Sequence, residues 1–214
     1  MSLVISDKYK YIFFHLPKNA GVYFSSFLIN QEFKLKFIKK LNSFTKLFFK
    51  KKNTYYLTKN YKFMQFNSHI TCYDFFEIFN VNDFKDYFMF GVVRNPFDRQ
   101  VSRYEYSKMI SKKFQDFTFE EFVEYDLKKN LHVLKQFEFL KINKNHNFIQ
   151  NFIKFENLNC ELNIISKKLF NKEHDLLHLN KSSHNEYRKY YNLKTRNLIE
   201  KNLFKDLDFF TYEF

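Results

Sequence analysis

The chain has 214 residues, with 32 Phe, 15 Tyr, no Trp and a formal net charge of +13. This length predicts one domain that buries roughly 70% of its unfolded surface, and the aromatic residues supply the apolar mass for its core. Two cysteines, Cys72 and Cys160, are too few for a disulfide framework or a zinc cluster, so we expect reduced thiols. The excess positive charge predicts an anionic partner, and nucleotide, polyanionic carbohydrate, nucleic acid and anionic membrane all fit it.

The first strong pattern is a strand, a turn and a helix. Tyr11–His15 is a short aromatic run that predicts a buried strand, and Tyr23–Ile29 predicts a helix. The turn between them holds Pro17, Lys18 and Gly21, although the whole chain has only two prolines and two glycines. We expect Gly21 to supply backbone freedom. Such a turn points backbone N–H groups and the Lys18 ammonium at one spot, as an anion cradle requires.

The stretch after this helix is strongly basic. No acidic residue occurs between Glu32 and Asp74, whereas lysines recur from Lys34 to Lys62. Apolar residues within Phe33–Asn53 recur near a helical period, which predicts an amphipathic helix with a basic face. Two interpretations stay open: a solvated lysine face, or an electropositive wall for an anionic acceptor.

A second strand, turn and helix follow. Tyr87–Val93 is apolar throughout, which predicts a buried strand, and Pro96 suits the first turn of the next helix. Arg94 at the carboxyl end of the strand is a bidentate donor for a phosphate, and Ser102 lies two helical turns further on. Ligands of parallel sheets bind outside the carboxyl ends of the strands, which is where both turns are expected.

The remaining elements alternate in type. The capping box at Thr118 predicts the start of one helix. The sequence predicts further helices at Cys72–Phe79, Leu158–Leu169, Tyr187–Tyr191 and Thr195–Leu203, and a strand at Phe148–Phe155. Strands alternating with helices predict an α/β fold. We expect one domain over residues 1–214, with a central parallel sheet flanked by helices.

Two motifs resemble those of a known enzyme family. HLPKNAGVYF, residues 15–24, resembles the 5′-phosphosulfate loop of sulfotransferases that use 3′-phosphoadenosine 5′-phosphosulfate (PAPS), whose carbohydrate-modifying members have roughly HIPKTAGTSF. FGVVRNPFDRQVSRY resembles their 3′-phosphate motif, in which a Ser follows the strand-end Arg by eight residues, as Ser102 follows Arg94. Later segments, NFIQNFIKFENL, LLHLNKS, EYRKYY and KDLDFFTYEF, resemble the bacterial branch of the type 2 carbohydrate sulfotransferase family.

The resemblance implies a P-loop-kinase-like sulfotransferase fold and transfer of a sulfuryl group from PAPS to an acceptor hydroxyl. The product would be adenosine 3′,5′-bisphosphate (PAP), and no metal would be needed. His69 stands where the family carries its base, and Lys18 would neutralise charge on the bridging oxygen. The implied cofactor-binding residues are Pro17, Lys18, Asn19, Ala20, Gly21, Val22, Tyr23, Arg94 and Ser102.

Expected partners follow from the family and the charge. The resemblance implies a carbohydrate or another hydroxyl acceptor, and an anionic one fits the basic stretch; no nucleic acid partner is expected. No basic-plus-apolar signal segment precedes the first strand and no run approaches 18 apolar residues. We therefore expect no transmembrane segment and a cytoplasmic location.

The chain departs from the family inside the cradle. Asn19, Val22 and Tyr23 stand where the family usually has Thr, Thr and Ser. Each lost hydrogen bond to a charged group costs about 1.5–3 kcal/mol, so we expect weakened cofactor binding, and a relative without activity is the alternative. Two other classes stay open: a P-loop-like kinase, although the chain lacks GxxxxGK[ST], and a basic nucleic-acid- or polyanion-binding protein.

Overall fold

A computed structural model describes residues 3–33, 55–58, 61–64, 69–143, 147–173 and 186–214. The predicted basic helix beyond Phe33 lies outside these ranges, as does the LLHLNKS motif. The chain divides into two compact units. The sheet unit comprises Met1–Val92 and Leu140–Asp175, and the helical unit comprises Val93–Phe139 and Leu176–Phe214.

The elements are as follows. The strands are β1 Leu3–Ser6, β2 Tyr11–Phe14, β3 Tyr55–Thr58, β4 Tyr61–Met64, β5 Phe88–Val93 and β6 Asn151–Lys154. The α-helices are α1 Gly21–Phe33, α2 Cys72–Ile78, α3 Pro96–Ile110, α4 Phe119–Leu134, α5 Gln136–Phe139, α6 Leu158–Phe170, α7 Leu193–Asn202 and α8 Phe204–Phe209. Short 3₁₀ turns cover Val81–Phe84, Lys112–Phe114, Phe155–Asn157 and Tyr187–Tyr190.

The six strands found in the described ranges form one mixed sheet in the order β3-β4-β1-β2-β5-β6. The α/β class is confirmed, but the prediction of a parallel sheet is wrong. β1 pairs antiparallel with both β2 and β4, and β3 pairs antiparallel with β4, whereas β2 and β5 are parallel. The reason is local, because only the four residues from Asp7 to Lys10 separate β1 from β2, and so short a connection joins antiparallel strands.

An aromatic cluster fixes α1 on the sheet. Phe13 on β2, Phe24 on α1 and Phe90 on β5 are all fully buried. Their ring centroids are 5.0 Å apart for Phe13–Phe24, 5.3 Å for Phe13–Phe90 and 5.7 Å for Phe24–Phe90. Aromatic pairs at such distances contribute about 0.5–1.5 kcal/mol each beyond the area that they bury. The helix that follows the Lys18 turn is therefore anchored to both parallel strands.

The helical unit begins with the predicted helix caps. Asn95 accepts a hydrogen bond from the Phe97 N–H, and Pro96 occupies the first turn of α3. Thr118 and Glu121 form the predicted capping box at the start of α4. Between α3 and α4, an apolar core includes Phe97, Val101, Tyr104, Phe122 and Val123.

A buried ion pair joins α3 to α4. Asp126 is 1% exposed and accepts two 2.7 Å hydrogen bonds from the Arg103 guanidinium. Gln100 and Asn130 donate to the same carboxylate at 2.9 and 2.7 Å. Burial raises the pKa of Asp126, but the hydrogen bonds and the charge of Arg103 outweigh burial, and the net pKa is lowered. The ionised form of Asp126 therefore stabilises the folded unit.

We expect Asp126→Asn to lower the free energy of unfolding at pH 7 by about 3 kcal/mol, because it leaves Arg103 partly buried and unpaired. A depressed carboxyl pKa stabilises the fold above its unfolded value of 3.8, and this contribution is lost as pH falls through the folded value. Denaturant unfolding measured from pH 7 to pH 3 should therefore show that the difference in free energy of unfolding between wild type and Asp126→Asn becomes smaller as pH falls. The exposed Asp116→Asn is the control; a gap for Asp126→Asn that stays constant with pH would contradict the assignment.

Candidate functional site

The turn between β2 and α1 has an unusual backbone. Lys18 has φ 65° and Ala20 has φ 54°, both in the left-handed region, whereas Asn19 between them does not have positive φ. Each such residue other than glycine costs on the order of 1–3 kcal/mol, so its surroundings must hold it in place. Alternating signs of φ turn successive N–H groups toward one side, as in anion-binding nests. The alternation is compatible with the predicted cradle, in which backbone N–H groups would bind an anion.

Gly21 is needed for space rather than for backbone freedom, so that expectation is wrong. Its φ is not positive. A Cβ added at this position would lie 1.7 Å from Cδ2 and 2.1 Å from Nε2 of the His15 ring. The buried His15 ring thus lies directly against the first residue of α1.

The side chain of Asn19 links the turn to β5. Its side chain is completely buried, and Nδ2 donates a 2.7 Å hydrogen bond to the carbonyl oxygen of Val92 on β5. The resemblance implies that Asn19 is a cofactor-binding residue. In the structure this amide links the turn to the neighbouring parallel strand and holds the strained residues 18–20 in place.

The two other departures from the family pattern have different surroundings. Val22 is 72% exposed. Tyr23 is half-buried, and its hydroxyl is fully buried without a hydrogen-bond partner among the described residues. Burial raises the pKa of Tyr23. Neither side chain presents a hydroxyl to solvent, so an anion at this turn would have only the backbone N–H groups and the half-buried Lys18 as donors.

His69 contacts His15, the residue that begins the turn. Its Nδ1 is 2.8 Å from the carbonyl oxygen of His15, and the two rings meet edge to face at 4.8 Å. Because a carbonyl only accepts hydrogen bonds, Nδ1 carries the proton, and a neutral His69 then has its acceptor lone pair on Nε2. The side chain is exposed. The structure thus places an exposed imidazole of fixed orientation beside the residue that begins the Lys18 turn.

Arg94 and Ser102 belong to the helical unit. Arg94 is 3% exposed, and its Nε makes a 2.7 Å ion pair with Oδ2 of Asp98. Ser102 is also buried and follows Asp98 by one helical turn on α3. The sequence predicted Arg94 as a bidentate phosphate donor and missed Asp98. Arg94 precedes Asn95, the N-cap of α3, so the rule that pairs opposite charges four residues apart on a helix face gave no signal for this ion pair.

Within the described parts of the chain, no group of three or more His, Cys, Asp or Glu residues is placed to hold a metal ion. In the same parts, no helix combines the length and the apolar character that a membrane crossing requires. Comparison with protein-family models, with curated proteins and with solved structures finds no match to this chain.

We expect Gly21→Ala to lower the free energy of unfolding by about 1–3 kcal/mol, because the new methyl group overlaps the His15 ring. In a His15→Ala background the ring is gone, and the same change at Gly21 should cost much less. Denaturant unfolding of the four proteins in this double-mutant cycle measures the coupling. An equal cost of Gly21→Ala in both backgrounds would contradict the packing explanation.

Proposed function

We propose that this protein is a PAPS-dependent sulfotransferase, with the P-loop-kinase-like sulfotransferase fold, that transfers a sulfuryl group to the hydroxyl of an acceptor. The acceptor class we expect is carbohydrate, and we expect no nucleic acid partner. The observation that carries the proposal is the hydrogen bond from His69 Nδ1 to the His15 carbonyl. It orients a base beside a turn whose backbone alternates as anion-binding nests do.

In this proposal the turn holds the 5′-phosphosulfate. Its donors are the backbone N–H groups from Lys18 to Tyr23, several of which belong to the first turn of α1. Donors fixed in this way need no reorganisation when charge develops during the reaction. Pro17 and Asn19 shape the turn, and Lys18 supplies the positive charge. The missing hydroxyls at positions 22 and 23 predict weaker binding and leave the backbone donors in place.

His69 would act as the general base. The acceptor oxygen attacks the sulfur of PAPS in line, forming a new S–O bond as the bond from sulfur to the bridging phosphate oxygen breaks. The proton of the acceptor hydroxyl moves to Nε2 of His69, and PAP leaves with the bridging oxygen. Lys18 neutralises the negative charge that develops on that oxygen. Like phosphoryl transfer, the reaction needs positioning and charge stabilisation more than covalent help.

Arg94 and Ser102 would hold the 3′-phosphate. The Arg94 guanidinium, whose Nε pairs with Asp98, is the group that we assign to the phosphate. Ser102, one turn beyond Asp98 on α3, would add its hydroxyl. A contact to this phosphate distinguishes PAPS and PAP from adenosine 5′-phosphate (AMP), which lacks it.

We expect wild type to bind PAP with a Kd of about 1 μM or lower and AMP much more weakly. Arg94→Gln should lose about 2 kcal/mol of this preference, because it removes a charged donor to phosphate. Asp98→Asn is the matched control, since it breaks the same ion pair and leaves the guanidinium. Calorimetry with both nucleotides measures the preference.

Two results would contradict the nucleotide assignment. Equal affinity of wild type for PAP and AMP would remove the 3′-phosphate site. If Arg94→Gln and Asp98→Asn lost the preference for PAP over AMP to the same extent, Arg94 would serve only in the ion pair with Asp98 and would not bind the phosphate. Salt-sensitive binding to duplex DNA without PAP binding would instead favour a nucleic-acid-binding protein, consistent with the net charge of +13.

For His69 we expect the Asn variant to keep the fold and lose the reaction. The Asn side-chain amide can still donate to the His15 carbonyl, but it cannot accept a proton at neutral pH. Turnover should fall about 10²–10⁴-fold, with melting temperature and PAP affinity near those of wild type. Wild-type activity should also decline at acid pH, as the imidazole takes up a proton. Near-normal turnover by His69→Asn would exclude His69 as the base.

A further inference from the structure

A buried side chain far along the sequence holds the backbone of Arg94. Gln136, the first residue of α5, is completely buried. Its Oε1 accepts a 3.0 Å hydrogen bond from the Arg94 N–H, and its Nε2 donates a 2.8 Å hydrogen bond to the Arg94 carbonyl oxygen. One amide group thus pairs with both main-chain polar groups of Arg94, as a neighbouring strand would.

Gln136 is held in turn by Asp206. This carboxylate, on α8, is 1% exposed. Oδ2 accepts from the Gln136 N–H and Oδ1 from the Phe137 N–H, both at 2.8 Å. Burial raises the pKa of Asp206 to about 6, although these hydrogen bonds and the charge of Arg99 oppose the rise. A continuous chain of hydrogen bonds therefore leads from Asp206 through Gln136 to Arg94.

Asn95 and Phe97, which follow Arg94, are also held by contacts with the C-terminal part of the chain. Asn95 donates from Nδ2 to the carbonyl oxygen of Glu213 at 2.8 Å, and the Tyr191 hydroxyl donates to the carbonyl oxygen of Phe97 at 2.9 Å. The ring of Phe214 meets the ring of Phe97 edge to face at 4.9 Å. The C-terminal part of the helical unit thus fixes the Arg94–Phe97 segment at several points.

We propose that Asp206, acting through Gln136, is a positioning residue that sets the place of Arg94 for the 3′-phosphate of the nucleotide. The inference rests on the proposed function, because it assumes that Arg94 binds that phosphate. Gln136 touches only the main chain of Arg94 in these two hydrogen bonds, so its loss displaces the guanidinium without removing a phosphate donor. Displacements of about 1 Å are enough to weaken such binding or reaction by up to about 10²-fold.

Gln136→Met tests the proposal, with Gln100→Met as its matched control. Gln100 is 1% exposed in the same unit and donates to Asp126 rather than to Arg94. Both variants should lower the melting temperature. Only Gln136→Met should lower the preference for PAP over AMP, by at least about tenfold, with AMP affinity unchanged. Calorimetry on the full chain gives both affinities.

Asp206→Asn gives a milder second variant, because Asn keeps one acceptor for the two N–H groups and leaves Gln136 present. It should lower the preference about three- to tenfold, and it decides the matter if Gln136→Met fails to fold. An unchanged preference in the folded variants would overturn the positioning role and leave the proposed function standing. An equal loss in Gln100→Met would also overturn it, since the effect would then follow stability. A wild type without preference would overturn both proposals.

Discussion

The hydrogen bond from Asn19 to the Val92 carbonyl is the contact on which the candidate cradle depends. β2 and β5 run parallel with Phe14 opposite Gly91, and this bond links the turn after β2 to the end of β5. This hydrogen bond fixes Asn19, whose neighbours Lys18 and Ala20 both have left-handed backbone conformations. The buried contact therefore offsets the strain of these two residues. Without this hydrogen bond, residues 18–20 would lose the buried contact that offsets their strain.

Both glycines of the chain serve close packing. Gly21 leaves room for the His15 ring, whose carbonyl oxygen orients His69. At Gly91 an added Cβ would lie 3.0 Å from Leu140, 3.1 Å from Leu16 and 3.3 Å from the Phe14 carbonyl oxygen. Close packing at these two glycines therefore fits the turn against the His15 ring and against β5. In the helical unit the corresponding contacts are hydrogen bonds, because the buried carboxylates of Asp126 and Asp206 each accept from several donors.

Local patterns in the sequence predicted much of this structure. The apolar runs gave β2 and β5, and the Thr118 capping box gave the start of α4, because neighbouring residues determine these features. Strand direction depends on distant pairing, so the mixed sheet was missed, along with the short strand β1. The turn was found from Pro17, Lys18 and Gly21, but the reason for Gly21 required the position of the His15 ring. Gln136 acts on Arg94 across 42 residues, and no local pattern indicates such a contact.

In the proposed function, a sulfuryl group moves from PAPS to an acceptor hydroxyl beside the Lys18 turn. The most direct measurement uses PAPS labelled at sulfur and follows both PAP release and label incorporation in the presence of a panel of carbohydrate acceptors. A sulfotransferase should release PAP only when an acceptor is present, with an equal amount of label in an acceptor sulfate ester. PAP release that no acceptor stimulates, with all label recovered as inorganic sulfate, would contradict it.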